Sequence, residues 1–193
     1  EEFAGAGYLT PSKDHWFGTT LMGRDVFTRV VYGLRSTLLV GFLAGTIASA
    51  IGLVVGFVSG YYSGKAADEG LMMLTNVFMV IPSLAILIIL SAYLPYRGIV
   101  TQSLIVAATA WPWTARAVRS QTLSLKNQEF VNLSRISGLS TFKILRDDIA
   151  ANMFSYVFMV YILQFNGTIL ASVGLEFLGL GPTRGVSLGL VMQ

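Results

Sequence analysis

The sequence has no cysteine and a single histidine in 193 residues. Without cysteine there is no disulfide, no thiolate nucleophile and no sulfur-ligated metal. One histidine, His15, is too few for a zinc site, and it reads as a solvated loop residue. No Ser/His or His/carboxylate constellation surrounds it, so no catalytic residue is assigned. Charge is scarce as well: Asp, Glu, Lys and Arg make up 12% of the chain, about half their share in a soluble domain. The stretches 36–64, 70–96, 98–115 and 149–175 contain none, and together they hold 101 residues. The 23 charged residues therefore share the remaining 92 positions, which restores the density of an ordinary wet surface there. This division excludes disorder and a soluble enzyme core. The net charge is only +3, with the basic residues spread between apolar runs, which speaks against a nucleic-acid module.

What is present is apolar mass, 54% of the residues, arranged in runs of membrane-spanning length. Roughly 20 apolar residues in a helix cross the hydrocarbon, with 17 to 25 as the working range. The reading is an all-α integral membrane protein with four spans at about 36–62, 71–94, 98–116 and 149–174. A transmembrane domain covers 36–193, and a basic loop covers 117–148. Residues 1–35 form a polar segment with a short surface helix from about Arg24 to Arg35. The chain opens on Glu1-Glu2-Phe3, and 185–193 looks like the approach to another span, so the reading expects a piece of a longer subunit.

Glycine is abundant, with 20 residues. Gly41 and Gly45, and then Gly52, Gly56 and Gly60, stand four apart along the first run with Ala48 and Ser49 filling the gap, the small-residue spacing that lets helix backbones approach closely in a bilayer. Such a row serves packing within the chain or against a second subunit. Pro82 and Pro112 fall inside spans and predict kinks, and Trp111 and Trp113 read as interfacial anchors.

The segment between the third and fourth spans carries Arg116, Arg119, Lys126, Arg135, Lys143 and Arg146, which marks it as cytoplasmic by the positive-inside tendency. Counting outward from it places 1–35, 95–98 and 175–185 on the outer side and 65–69 on the inner side. Within it, 127–138 reads as a helix stopped by Gly138, and 140–149 as a second helix started by Ser140. Phe130, Leu133, Phe142, Ile144, Leu145 and Ile149 supply apolar contacts to the pair. An amphipathic helix pair of this kind suits a lipid surface or a soluble partner, and composition alone leaves both open.

The run Glu129-Phe130-Val131-Asn132-Leu133-Ser134-Arg135-Ile136-Ser137-Gly138-Leu139-Ser140, followed by Lys143-Ile144 and then Asn152, resembles the EAA loop of permease subunits of binding-protein-dependent ABC transporters, which implies that this loop, Phe142 included, meets the ATP-binding subunits. The dipeptide/oligopeptide branch is the most similar. Two further blocks resemble its C-type permease: Trp16 to Arg29 with Tyr32-Gly33-Leu34-Arg35-Ser36, and Phe177-Leu178-Gly179-Leu180-Gly181. Where the family has Glu-Ala-Ala this chain has Asn132-Leu133-Ser134, and where it has His-Ile-Leu-Pro the chain has Asp148-Ile149-Ala150-Ala151. Thr20 and Asn76 stand where the family often has Asp.

The resemblance implies a fragment of a six-span importer permease, multi-pass in the cell membrane of a prokaryote. It implies a homologous permease subunit, two ATP-binding subunits and an extracytoplasmic solute-binding protein as partners, with ATP and Mg on the partners and no cofactor or metal on this chain. Peptides are the implied cargo, with oligosaccharides as the alternative. Gln164, Asn166 and Thr168 in the last span become candidates for the pathway lining, and hydrogen bonding between helices is their competing role. Gly60-Tyr61-Tyr62-Ser63-Gly64-Lys65-Ala66 lacks the spacing and the hydroxyl of a phosphate loop, so the chain is read as a transport subunit and not an enzyme. A passive channel or structural membrane protein is the remaining rival, and it has no use for a helix-Gly-helix loop.

Overall fold

Asp25 starts the longest helix, α1 (Val26–Tyr61), by accepting the Thr28 N–H on its carboxylate at 2.7 Å. The computed structural model describes residues 6–94, 98–181 and 186–192. The sequence predicts a separate surface helix before the first span, yet the two are one helix of 36 residues. No proline interrupts 26–61, and Gly33 is accommodated because another backbone lies against it: a Cβ there would sit 2.9 Å from the Ser187 carbonyl carbon. At about 1.5 Å per residue α1 is about 54 Å long, well beyond the ~30 Å hydrocarbon, so it projects from the membrane.

The second expected span is broken in two. Helices α2 (Ala66–Val80) and α3 (Ser83–Tyr93) meet at 84° across Ile81-Pro82. Proline forces the preceding residue into extended geometry, and Ile81 has φ −77° and ψ 129°. Helix α4 (Ile99–Leu125) continues through Pro112 and nine residues past the expected end of the third span. Next come α5 (Glu129–Ile136) and the single turn α6 (Thr141–Lys143), which runs directly into a π-helix at Ile144–Ala150. Helix α7 (Phe154–Phe177) replaces the expected span at 149–174, because the π-helix occupies its first residues. A short α8 (Leu188–Val191) follows. Residues 95–97 of the expected 95–98 segment lie outside the described residues, as do 182–185, the first five residues and the last.

Among the described residues two helices, α1 and α7, are singly long and apolar enough to cross a membrane, and the bent α2–α3 pair makes a third if counted as one span. The four complete spans of the sequence reading are thus not matched one for one. Helix α4 has the length but is lined with Gln102, Ser103, Thr114 and Thr122, all buried, so its polar groups are spent on neighbours and not on lipid.

Glycines set the packing of α1 on both sides. Gly52, Gly56 and Gly60 lie against Thr114, Val118 and Thr122 of α4, where an added Cβ would come within 2.5, 2.6 and 2.6 Å of those side chains. The matched ascending order makes α1 and α4 parallel. Gly41 meets Ile169 and Gly45 meets Phe165, so α7 runs antiparallel to α1. Two buried clusters result. One joins Ala44, Ala48, Leu87, Ile105 and Trp111. Trp111 is not an interfacial anchor: its ring packs edge-on against Phe78 at 5.5 Å, and the half-exposed ring is Trp113. The other cluster joins Val118, Val131, Ile144, Ile149 and Met153.

Before α1, residues 6–25 form a small lobe. The Thr19 hydroxyl donates to the Ala6 carbonyl at 2.7 Å, and the aromatic rings of Trp16 and Phe17 pack on Phe27. His15 is mostly covered here and not solvated as expected, because its Nδ1 lies 3.2 Å from the Asp25 carboxylate.

Candidate functional site

The polar end of the bundle is built around Gly138. Its φ of +75° is the left-handed conformation that favours glycine. The Gly138 N–H donates to the Arg135 carbonyl at 3.0 Å and the Leu139 N–H to the Ser134 carbonyl at 3.1 Å. This double closure ends α5 and satisfies its last carbonyls. Two residues later the Ser140 hydroxyl accepts the Lys143 N–H at 3.5 Å and starts α6. The helix-Gly-helix pattern of the sequence is present, although the second helix becomes a π-helix after one turn.

The apolar residues divide otherwise than the sequence predicts. Val131, Ile144 and Ile149 turn inward and join Val118 and Met153, which fixes the pair to the base of α4 and α7. Phe130, Leu133 and Phe142 do not hold the pair together. They face outward with Ile136, and Leu133, Phe142 and Ile136 expose 66%, 69% and 85% of their surface. Glu129, Asn132, Arg135 and Lys143 are exposed around them, with Ser134 half-buried. The Arg135 guanidinium lies 5.3 Å from the centre of the Tyr61 ring and its Nη1 donates to Asn132 Oδ1 at 3.4 Å, which ties the loop to the end of α1. Arg146 clasps the neighbouring Asp147 at 2.6 Å and holds that carboxyl below its ordinary range.

The three polar residues singled out in α7 point in different directions. Gln164 is buried: its Oε1 accepts from the Thr114 hydroxyl at 3.0 Å and its Nε2 donates to the Ala110 carbonyl at 3.0 Å. Thr168 is buried one turn on and donates to the Gly41 carbonyl at 3.0 Å. Asn166 is exposed on the opposite side. Gln164 also borders a cavity of 380 Å³ between α3, α4 and α7.

Two polar assemblies were not visible in the sequence. Arg119 of α4 grips Asp68 of α2, and Arg116 donates to Asn76 Oδ1 at 2.7 Å, so α4 holds the first limb of the bent pair at two levels. At the other end Glu176 is fully buried. Its Oε1 accepts from Gln102 at 2.9 Å and from Ser172 at 3.0 Å, and its Oε2 accepts the Gly189 N–H at 3.2 Å. A charge next to a hydrophobic run is the only sequence signal for such a residue.

The helix pair is mounted on the bundle by buried contacts, with Leu133, Ile136 and Phe142 facing outward. Residues 52–192 match the model of the family described as binding-protein-dependent transport system inner membrane component. The chain belongs to this family. The matched part takes in the bent pair, α4, the loop and α7, and begins in the last third of α1.

Similar curated proteins are permease components. The chain is 40% identical over 174 residues to the dipeptide transport system permease protein DppC of Bacillus subtilis, covering 90% of this chain and 53% of that protein. It is 37% identical to the oligopeptide transport system permease protein OppC of the same organism, covering 89% of this chain and 55% of the relative. It is 31% identical to the nickel transport system permease protein NikC of Escherichia coli K12, covering 91% and 62%. The chain thus spans little more than half the length of the relatives it matches.

Proposed function

We propose that the chain forms one half of the membrane pathway of an ATP-driven importer, pairs with a homologous permease, and carries peptides. The observation that carries this reading is the outward row Phe130, Leu133, Ile136 and Phe142 on a loop whose inner residues are locked into the bundle. A large apolar row at the wet end of a membrane protein calls for a cover. A groove on an ATP-binding subunit supplies one, and ATP and Mg belong to that subunit. With the loop fastened to α4 and α7 through Val118 and Met153, closure of two ATP-binding subunits tilts the membrane helices instead of bending the loop.

The six basic residues from Arg116 to Arg146 favour the cytoplasmic side for this end, and the bacterial sources of the relatives favour the cell membrane of a prokaryote. The lobe at 6–25 then faces outward, toward an extracytoplasmic solute-binding protein. Helix α4 is the further crossing, since it follows α1 from Gly52 to Gly60 in parallel register. The substitution of Asn132-Leu133-Ser134 for an acidic motif leaves apolar contact and shape to do the coupling. Peptides are preferred to oligosaccharides because the two Bacillus relatives are named for dipeptide and oligopeptide transport.

The test is capture from mild detergent with a tag on this chain. Leu133→Asp with Ile136→Asp is expected to cut recovery of the ATP-binding subunits by about thirtyfold, the loss of a typical hot spot, while the second permease stays bound. Undiminished recovery of the ATP-binding subunits rejects the docking face.

A further inference from the structure

The break at Pro82 turns α3 away from α2 and leaves the 380 Å³ cavity between α3, α4 and α7, a volume within the range of small-molecule sites. Its wall combines two kinds of surface. Leu87, Leu163, Ala171 and the ring of Trp113, 45% exposed, are apolar, while Ser83, Thr109 and Gln164 bring hydroxyl and amide groups. A cavity meant for lipid tails gains nothing from polar groups, which cost free energy wherever hydrocarbon covers them. Gln164 is held in place by its bonds to Thr114 and Ala110, and the Thr109 hydroxyl donates to Val106, which leaves its oxygen able to accept.

Gly167, also on the wall, gives the second observation. The glycines of α1 each lie against a neighbouring helix, but a Cβ at Gly167 meets nothing within 4 Å. Glycine inside a helix costs about 1 kcal/mol relative to alanine, and at Gly167 no close helix contact among the described residues repays it. What the missing side chain leaves is room.

We propose that this cavity is a peptide-binding station on the transport pathway, an inference that rests on the peptide-importer reading above. An apolar side chain of the peptide lies against Trp113, and its backbone amides meet Ser83, Thr109 and Gln164. The Thr109 oxygen accepts and the second N–H of the Gln164 amide donates, so together they serve both ends of a peptide bond without selecting a sequence. Binding of this kind suits a path that many peptides must cross after a separate protein has selected them.

The experiment uses the complete transporter in proteoliposomes with its binding protein, and compares uptake of Ala-Ala-Ala with that of Ala-Phe-Ala. Gly167→Phe fills the cavity, and it is expected to lower Ala-Phe-Ala uptake by about tenfold or more relative to Ala-Ala-Ala, the scale on which a hydrophobic pocket discriminates. Trp113→Ala is expected to shift the same ratio in the same direction. If both variants keep the wild-type ratio, the station is overturned and the importer reading stands. Loss of the second permease on purification of Gly167→Phe also overturns it, by showing that the glycine is a subunit contact. Wild-type uptake of neither peptide overturns the peptide reading itself.

Discussion

Arg119 holds Asp68 with both arms of its guanidinium, Nε to Oδ1 at 2.7 Å and Nη2 to Oδ2 at 2.8 Å. The Asp68 carboxylate also accepts the Gly64 N–H at 3.1 Å, so one side chain fastens the turn after α1, the start of α2 and the middle of α4. Loss of one partner strands the other: removal of one member of a buried pair costs about 3–5 kcal/mol, and Arg119, 28% exposed, puts this pair toward the lower end. Asp68→Ala and Arg119→Ala are each expected to lower the Tm of the detergent-solubilised protein. The double variant is expected to recover at least about 1 kcal/mol relative to the sum. Strict additivity in that cycle removes the pair from the list of interhelix ties.

Glycines of the same spacing differ in what a substitution costs. At Gly56 a Cβ would lie 2.6 Å from Val118 Cβ and 2.8 Å from the Ala115 carbonyl oxygen, with backbone that cannot step aside. Gly56→Val is expected to part α1 from α4 and to reduce the folded yield in membranes severely. Gly64, the next in the series, has open space around it and a φ of +79°, so Gly64→Ala carries only the strain of the left-handed conformation, about 1–2 kcal/mol. Comparison of the two yields and melting temperatures checks the contrast; equal effects refute it.

Gly138 also has open space, so a β-branched residue there meets strain and no clash. Gly138→Val is expected to redirect α6 relative to α5 while the bundle inserts normally. In the assembled transporter this separates ATP hydrolysis from uptake, and normal coupled uptake by the variant counts against the loop as lever.

The start of α1 carries a pH dependence. Bonds from the Thr28 side chain and N–H, assisted by His15, hold the Asp25 carboxyl below its ordinary range. A carboxylate of lowered pKa contributes its stability fully above the ordinary range and loses it as the pH falls through the lowered value. Asp25→Ala is expected to cost about 1 kcal/mol at neutral pH, and the gap from the wild type closes in acid. Hydrogen exchange of the amides at 26–29 measures it, and a gap that persists unchanged into strong acid contradicts the assignment.

Charge-free runs show where apolar helices lie because lipid and water enforce opposite compositions. Gly138 and Ser140 were legible for a similar reason, since stop and start chemistry is local. The continuity of α1 was not. Arg24, Arg29 and Arg35 suggest a separate surface helix, but charge does not end a helix, and neither Gly33 nor Ser36 does so here. Pro82 announces a break but not its 84° angle, and the Arg116 and Arg119 contacts by which α4 holds α2 join residues 40 and 51 positions apart. Glu176 and Asp68 find their partners across 74 and 51 residues, beyond any local pattern. The inward and outward halves of the loop were inverted in part, since Phe and Leu suit a core and a docking face equally.

The wide turn at Ile144–Ala150 sits directly between the docking face and α7. A π turn takes up about one residue more than an α turn, and one residue of α-helix corresponds to about 100° of rotation. An ordinary α turn in its place would rotate α7 on its own axis and turn Gln164 and Thr168 away from Thr114 and Gly41. The π-helix thus sets the rotational register of α7 relative to the α5–α6 pair.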